Sequence, residues 1–167
     1  AMNSFFPEDS KKIKARIRRH YSKYQGMKVL MVDCNITTSH VGLYLGLYST
    51  PVTLNDALKG NVDIQKTIYE HPSGIHVIPA SLKLEDLRDV DWHFMKEKLP
   101  SITDNYDFIV LDSSPGFTRE SLITLEASQE ALMVTTPIVH TVADLIKCKQ
   151  LCDEFKVKPL GIVLNKI

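Results

Sequence analysis

The chain has 167 residues, 44% hydrophobic and 24% charged, a composition typical of a folded globular protein with one domain. No apolar run is long enough to span a membrane and no secretory leader is recognisable, so we expect a cytoplasmic protein without a transmembrane segment. Three cysteines are too few for a disulfide framework, which excludes a small disulfide-stabilised fold.

The formal net charge of zero conceals an uneven distribution of charge. Residues 8–28 contain eight lysines and arginines against two acidic residues, so this segment carries +6 and the rest of the chain −6. Four apolar or aromatic side chains recur at helical spacing among these cations: Ile13, Ile17, Tyr21 and Tyr24. The spacing predicts a basic amphipathic helix over residues 8–25. Such a helix packs on a sheet, lies on an anionic membrane or contacts nucleic acid, and its short apolar stripe favours packing.

After Gly26 the chain alternates between strand patterns and helix patterns. Buried strands are predicted at 27–33, 75–79, 106–112, 131–135 and 160–165. Helices are predicted at 39–47, 53–58, 63–69, 82–98 with a break near Asp91, 118–127 and 140–155. Because this alternation forms right-handed βαβ units, we expect an α/β fold, a doubly wound parallel sheet with helices on both faces. A single domain is expected over residues 1–167.

Two of the predicted strands end in a carboxylate, Asp33 and Asp112. Asp112 is followed by a Ser-Ser-Pro-Gly turn that ends at Gly116. Ligands of parallel sheets bind at the carboxyl ends of the strands, where a carboxylate next to a free glycine N–H can hold a hydrated Mg²⁺ beside a phosphate. The pattern indicates a nucleotide site, although Asp and Pro-Gly are also ordinary turn residues.

Several segments occur in the same order in one known family. They include Val32-Asp-Cys-Asn-Ile-Thr-Thr38, Pro51-Val-Thr-Leu-Asn-Asp-Ala-Leu58, Leu111-Asp-Ser-Ser-Pro-Gly116 and Val163-Leu-Asn-Lys166. These segments resemble the MinD branch of the MinD/ParA ATPases, and archaeal MinD-like proteins most closely. The resemblance covers about residues 26–167, a family-like core that follows a divergent basic helical N-terminus at residues 1–25.

The resemblance implies a P-loop NTPase fold that binds ATP and Mg²⁺ and pairs around the nucleotides, as a homodimer or with a related ATPase subunit. It places Asp33 and Asn35 at the catalytic positions beside the attacking water, and Asp33 and Asp112 at the metal. It places Gly116 near the γ-phosphate and Asn165 at the adenine edge. A carboxamide suits the last role because it offers both a donor and an acceptor.

Three features depart from the family pattern. The family begins with a central strand and a glycine-rich phosphate loop, and counting back places Lys11 on the lysine of that loop. The positions of the loop's glycines are held by Pro7, Glu8 and Ser10, which cannot form a cradle of backbone N–H groups. Asn35 stands where most of the family has an aspartate, and it cannot act as a base. The sequence also ends at Ile167, before the later family segments.

We therefore expect a MinD-like ATP-binding or ATPase family protein, resembling regulators of cell-division-site or cargo positioning. We expect this chain to be a truncated or degenerate form with weak or no autonomous ATP hydrolysis. The first strand of the sheet is expected to be missing, leaving an opening that stays empty, is filled imperfectly by residues 1–10 or is completed by another chain. The alternative is a non-catalytic binding module that uses its basic residues 11–28 on nucleic acid or anionic membrane.

Overall fold

The computed structural model describes residues 26–166, in which strands alternate with helices. The strands are β1 (Val29–Asp33), β2 (Tyr69–Glu70), β3 (His76–Ile78), β4 (Phe108–Asp112), β5 (Glu130–Thr135) and β6 (Lys158–Leu164). The α-helices are α1 (Val41–Tyr44), α2 (Leu54–Leu58), α3 (His93–Lys98), α4 (Pro100–Thr103), α5 (Arg119–Glu126) and α6 (Val139–Phe155). Two short 3₁₀ helices span Ile64–Thr67 and Leu84–Leu87. The helix predicted over 8–25 lies outside the described residues.

The described strands form two separate sheets. Four strands pair in the order β2-β3-β1-β4, and β5 pairs with β6. β1 is parallel to β3 and to β4, β5 is parallel to β6, and only the short edge strand β2 is antiparallel. The predicted α/β fold is confirmed, with the antiparallel β2 as an addition to the expected parallel sheet.

The hydrophobic core belongs almost entirely to the four-stranded sheet and its helices. Its buried residues run from Leu30 on β1 to Ile102 on α4, and residues of α5 pack against it from the side. Among the described residues beyond 128, the only buried hydrophobic side chains are Cys152 and Val157. Within residues 26–166, the part before residue 128 is therefore well packed and the part after it has little interior.

The segment predicted as one interrupted helix over 82–98 is divided more sharply than the pattern indicates. A 3₁₀ helix occupies Leu84–Leu87, and α3 begins only at His93. Between them Asp89 has a left-handed backbone, with φ of 60°, and the Asp91 carboxylate accepts a hydrogen bond of 2.9 Å from the His93 N–H. These two local features confirm the predicted break and place it next to Asp91.

Among the described residues, the two faces of β4 are covered unequally. Ile109 and Leu111 of β4 pack against the core, whereas Phe108 and Val110 on the opposite face remain about half exposed. An apolar run alone cannot distinguish these faces, because covering one of them depends on other elements. No helix within residues 26–166 is long and apolar enough to cross a membrane.

Candidate functional site

The two carboxylates at the strand ends lie side by side. β1 and β4 pair in parallel with Asp33 opposite Asp112, so both residues reach the same edge of the sheet. The Cys34 N–H donates a hydrogen bond of 2.9 Å to the Asp112 carbonyl, which extends the pairing by one residue. The strand register thus brings together the two residues that the sequence singles out.

Asp33 is fully buried and bonded to the loop that follows it. One carboxylate oxygen accepts hydrogen bonds from the Ser39 hydroxyl at 2.7 Å and the Val41 N–H at 3.2 Å, and the other accepts one from the Asn35 N–H at 3.2 Å. Burial raises the pKa of Asp33, while these three hydrogen bonds act in the opposite direction. In this structure Asp33 holds the loop between β1 and α1 in place.

Asp112 differs from its neighbour because it is exposed. Partial burial of its carboxyl group raises the pKa of Asp112, and the neighbouring His40 side chain lowers it in part. Of the two carboxylates, Asp112 is the one that can receive a cation or a water bound to Mg²⁺ without first breaking protein hydrogen bonds.

Asn35 closes the turn after β1. Its side-chain oxygen accepts hydrogen bonds from the Thr38 hydroxyl at 3.0 Å and the Thr38 N–H at 3.4 Å. Such a local bond is the usual way in which an asparagine stabilises a turn. The predicted catalytic position therefore carries a turn-forming contact in this structure.

Gly116 and Asn165 stand at the ends of different strands. Gly116 is exposed, has a left-handed backbone with φ of 75°, and its carbonyl accepts a hydrogen bond of 2.8 Å from the Ser121 hydroxyl. Asn165 follows β6; its N–H donates to the Thr135 carbonyl at 2.8 Å, and its side-chain oxygen accepts from the Lys166 N–H at 2.9 Å.

A groove of about 390 Å³ adjoins the turn of Asn35. One wall is the loop after β1, the other is the start of α5, and the Thr37 hydroxyl donates a hydrogen bond to the Glu120 carboxylate across it. Trp92 contributes an apolar side chain from a distant part of the sequence. Sequence patterns gave no signal for these residues, because the groove arises from the packing of three segments.

The described residues fit one side of a nucleotide site and not the other. Asp112 has the chemistry needed beside a hydrated Mg²⁺, and Gly116 exposes backbone near it. A phosphate cradle requires several consecutive backbone N–H groups directed inward, and within residues 26–166 no glycine-rich run adjoins Asp112. The same residues contain no cluster of three or more metal-ligating side chains. The fit to ATP–Mg²⁺ is therefore incomplete in this part of the chain.

Comparison with known proteins identifies the fold and the family. A family model described as an AAA domain matches residues 21–157. An uncharacterized ATP-binding protein of Methanocaldococcus jannaschii is 32% identical over 142 residues, which cover 85% of this chain and 54% of that protein. The chain spans about half the length of the curated relatives it matches.

Solved structures show the same likeness. The cell division ATPase MinD of Pyrococcus furiosus matches with a TM-score of 0.80 and 30% identity, over 84% of this chain and 60% of that one. The septum site-determining protein MinD of Pyrococcus horikoshii, in complex with Mg-ADP, matches with a TM-score of 0.79 and 27% identity, over 83% and 58% of the two chains.

The likeness to the two archaeal MinD structures, together with the α/β architecture, places the chain in the class of P-loop NTPase folds. Within that class, the matches to the family model and to the archaeal relatives show that the chain belongs to the MinD/ParA family of P-loop ATPases.

Proposed function

We propose that this chain is a MinD-like protein related to regulators of cell-division-site or cargo positioning, and that it has weak or no ATP hydrolysis of its own. Residual nucleotide contact would involve Asp112 near Mg²⁺, Gly116 near the terminal phosphate and Asn165 near the base. Asp33 and Asn35 would position the loop beside them. When bound, ATP–Mg²⁺ would supply a phosphoanhydride whose hydrolysis releases free energy.

One observation carries the proposal. The strand register aligns Asp33 with Asp112, which supports a ligand site at these strand ends, and within residues 26–166 no glycine-rich run adjoins them to form a phosphate cradle. In the sequence, Glu8 and Asp9 lie close to the position of the family's phosphate loop. Each negative charge at about 4 Å from a phosphate costs roughly 1–4 kcal/mol for effective dielectric constants between about 80 and 20. One lysine does not offset that cost.

Calorimetric titration of ATP–Mg²⁺ into the purified chain tests this proposal. We expect no saturable heat at micromolar nucleotide, weak heat at millimolar nucleotide that Asp112→Ala removes, and no phosphate release above the rate of a protein-free blank. The matched control is Asp104→Ala, because Asp104 is an exposed carboxylate near the opposite end of β4. Micromolar ATP binding with steady turnover, lost in Asp112→Ala and kept in Asp104→Ala, would refute the proposal that this chain has weak or no ATP hydrolysis of its own.

A second pair of variants separates contact with nucleotide from backbone strain. Gly116 and Gly74 both have positive φ, 75° and 87°, and an added Cβ would meet no atom within 4 Å at either position. Alanine therefore costs about 1–2 kcal/mol of backbone strain at each. Only Gly116→Ala is expected to weaken any nucleotide binding; an equal effect of Gly74→Ala would show that strain alone is responsible.

The alternative function is a binding module that uses residues 11–28. The observation that favours it is the net charge of +6 on residues 8–28. Binding to duplex DNA would then weaken with salt, with a log–log slope of about −0.9 for each phosphate contacted. Sedimentation with anionic vesicles distinguishes a membrane from nucleic acid as the partner.

Self-association belongs to the same proposal. A homodimer, or a complex with a related ATPase subunit, would place two sites face to face and could supply the phosphate cradle that the described residues lack. Analytical ultracentrifugation with and without ATP–Mg²⁺ tests for the homodimer.

A further inference from the structure

Two cysteines share one face of α6, away from the site at the strand ends. Cys148 and Cys152 are four residues apart in this helix, so their side chains lie one helical turn from each other on the same face. Cys152 is fully buried and Cys148 is partly buried. The Val157 N–H donates a hydrogen bond of 2.8 Å to the Cys152 carbonyl just before β6 begins. Cys152 therefore lies at the end of β6 opposite to Asn165.

The two thiols belong to the covered side of α6. Leu145 lies three residues before Cys148, Phe155 lies three residues after Cys152, and both of these apolar residues are partly buried. Residues three or four apart occupy the same side of a helix. The thiols therefore have apolar neighbours before and after them along the helix, and Cys148 is the more accessible of the two.

The charged residues next to the two cysteines pair with each other. The Lys149 ammonium forms an ion pair of 2.6 Å with the Asp153 carboxylate, and both side chains are exposed. Within residues 26–166 no group of three or more histidine, cysteine, aspartate or glutamate side chains is arranged to hold a metal ion. In that part of the chain, the cysteine pair thus offers two sulfur ligands without a third side chain of these types beside them.

Helix geometry favours an ion between the sulfurs over a disulfide bond. The Cβ atoms of residues four apart on a helix are about 5–6 Å from each other, whereas a disulfide requires about 3.8 Å. Two metal–sulfur bonds of roughly 2.3 Å each join sulfurs up to about 4.6 Å apart, compared with about 2.05 Å for a sulfur–sulfur bond. An ion bound by both sulfurs therefore fits the spacing of Cys148 and Cys152 without distortion of α6.

The cysteine pair is poorly suited to nucleophilic chemistry. Burial raises the pKa of Cys152, and the neighbouring Cys148 thiol raises it further. A thiol with a raised pKa is mostly protonated near neutral pH and reacts slowly as a nucleophile. A metal ion, by contrast, deprotonates a thiol that coordinates it. Metal binding therefore remains open to these two sulfurs.

We propose that Cys148 and Cys152 bind one soft monovalent cation, Cu(I), between their sulfurs. Thiolates select Cu(I), zinc and iron–sulfur clusters, and of these zinc and the clusters take four protein ligands. Each thiol releases its proton to solvent when it binds, and copper enters and stays as Cu(I), so no electron is transferred. This inference concerns α6 alone and does not rest on nucleotide binding.

Competition for Cu(I) with the coloured chelator bicinchoninate tests the proposal. The reduced full chain is titrated into the coloured complex under ascorbate and without oxygen, and it is expected to withdraw one equivalent of copper. X-ray absorption of the copper-loaded chain is expected to show two sulfur neighbours. Zn(II), offered with a coloured zinc chelator at the same concentrations, is expected to stay with its chelator because two ligands do not complete its coordination.

Serine variants make the test specific to the pair. Cys148→Ser and Cys152→Ser each remove one sulfur, and each is expected to abolish the transfer of copper. The matched control is Cys34→Ser, because Cys34 is also fully buried, and the serine hydroxyl can keep its hydrogen bond to Thr124. This control is expected to withdraw copper as the original chain does. Should Cys152→Ser fail to fold, Cys148→Ser, at the partly buried position, decides the question.

Several outcomes would overturn the proposal. If the chain withdraws no copper, the two thiols serve only as small buried side chains. Copper that is still bound by Cys148→Ser, or nitrogen and oxygen neighbours in the absorption spectrum, would assign the ion to other residues. Equal binding of Zn(II) would show a site with more than two ligands. A Cys148–Cys152 disulfide formed by mild oxidation of the folded chain would contradict the argument from spacing.

Discussion

The two aspartates at the ends of β1 and β4, Asp33 and Asp112, differ in burial and in hydrogen bonding. Asp33 and Asp112 are paired in the register of β1 and β4, yet one is buried among three donors and the other is exposed. Burial raises the pKa of both residues, most directly through loss of hydration of the charged form. The pair therefore divides into a carboxylate that fixes a loop and a carboxylate that is free to meet a ligand.

Removing the Asp33 side chain is expected to cost stability. Asp33→Ala leaves the Ser39 hydroxyl and the Val41 and Asn35 N–H groups without their acceptor, for a loss of about 3 kcal/mol in the free energy of unfolding. Asp33→Asn keeps one accepting oxygen and should lose less. Urea denaturation measures both, with Asp104→Asn as an exposed control.

The difference in the free energy of unfolding between the original chain and Asp33→Asn is expected to change with pH in one direction. The pKa of Asp33 lies above its ordinary value of 3.8 in the folded chain, so folding favours the protonated form. The stability that this provides is complete below about pH 3.8 and is lost as the pH rises through the folded pKa. The stability of the original chain relative to Asp33→Asn should therefore fall with rising pH and then level off. Parallel curves, or a rise, would contradict the assignment.

Sequence reasoning succeeded at single residues where the backbone decides position. The two strand-ending aspartates could be predicted to meet because parallel strands share an edge. The partners of the Asp33 carboxylate could not, because Ser39 and Val41 reach it only through the path of the intervening loop. The hydrogen bond between Asn35 and Thr38 is of the kind that asparagine commonly forms within a turn, and it depends only on residues close together in the sequence.

Among the elements, α5 shows how a short helix is stabilised at its start. Of the two residues that could cap this helix from the sequence, Thr118 and Ser114, the structure has Thr118 as the cap: its hydroxyl accepts a hydrogen bond of 3.2 Å from the Ser121 N–H, and it also bonds to the Ser114 hydroxyl at 2.7 Å. The first of these bonds satisfies an N–H that has no partner within the helix. The cap thereby joins the turn after Asp112 to α5.

Loss of this cap has a predictable cost. Thr118→Ala is expected to lower the free energy of unfolding by about 1–2 kcal/mol, whereas Thr118→Ser retains the oxygen and should stay close to the original chain. Chemical denaturation followed by circular dichroism measures both variants. Equal losses in the two would show that the methyl group, and not the hydroxyl, supports the turn.

Elements with strong caps or long apolar runs could be predicted, and weakly patterned ones could not. β1, β4, α5 and α6 appear close to their predicted positions. β2 has only two residues, so no periodicity could indicate it.

The distribution of the core across the whole molecule predicts unequal stability. Since Cys152 and Val157 are the only buried hydrophobic residues among the described ones beyond 128, residues 129–166 gain little from burial. We expect their amides to exchange through local opening at lower free energy than those of β1 and β3. Native-state hydrogen exchange in low denaturant measures this difference, and uniform protection of both halves would contradict it.

The overall architecture was predictable from the alternation of strand and helix patterns. How far other elements cover the two faces of each strand was not predictable. An apolar run such as 108–111 predicts burial on both faces, whereas among the described residues Ile109 and Leu111 are half-buried and Phe108 and Val110 are exposed. Which face is covered depends on elements far away in the sequence, so only the assembled fold reveals it.

Side-chain contacts at both ends connect α5 to two other segments of the chain. Glu120 in its first turn bonds to Thr37 in the loop after β1, and Glu126 in its last turn forms an ion pair with Lys96 on α3. A helix of eight residues is about 12 Å long and behaves as a rigid rod over that span. A shift of the loop around Thr37 would therefore strain the contact between Thr37 and Glu120 or move α5, which is itself paired with Lys96 of α3.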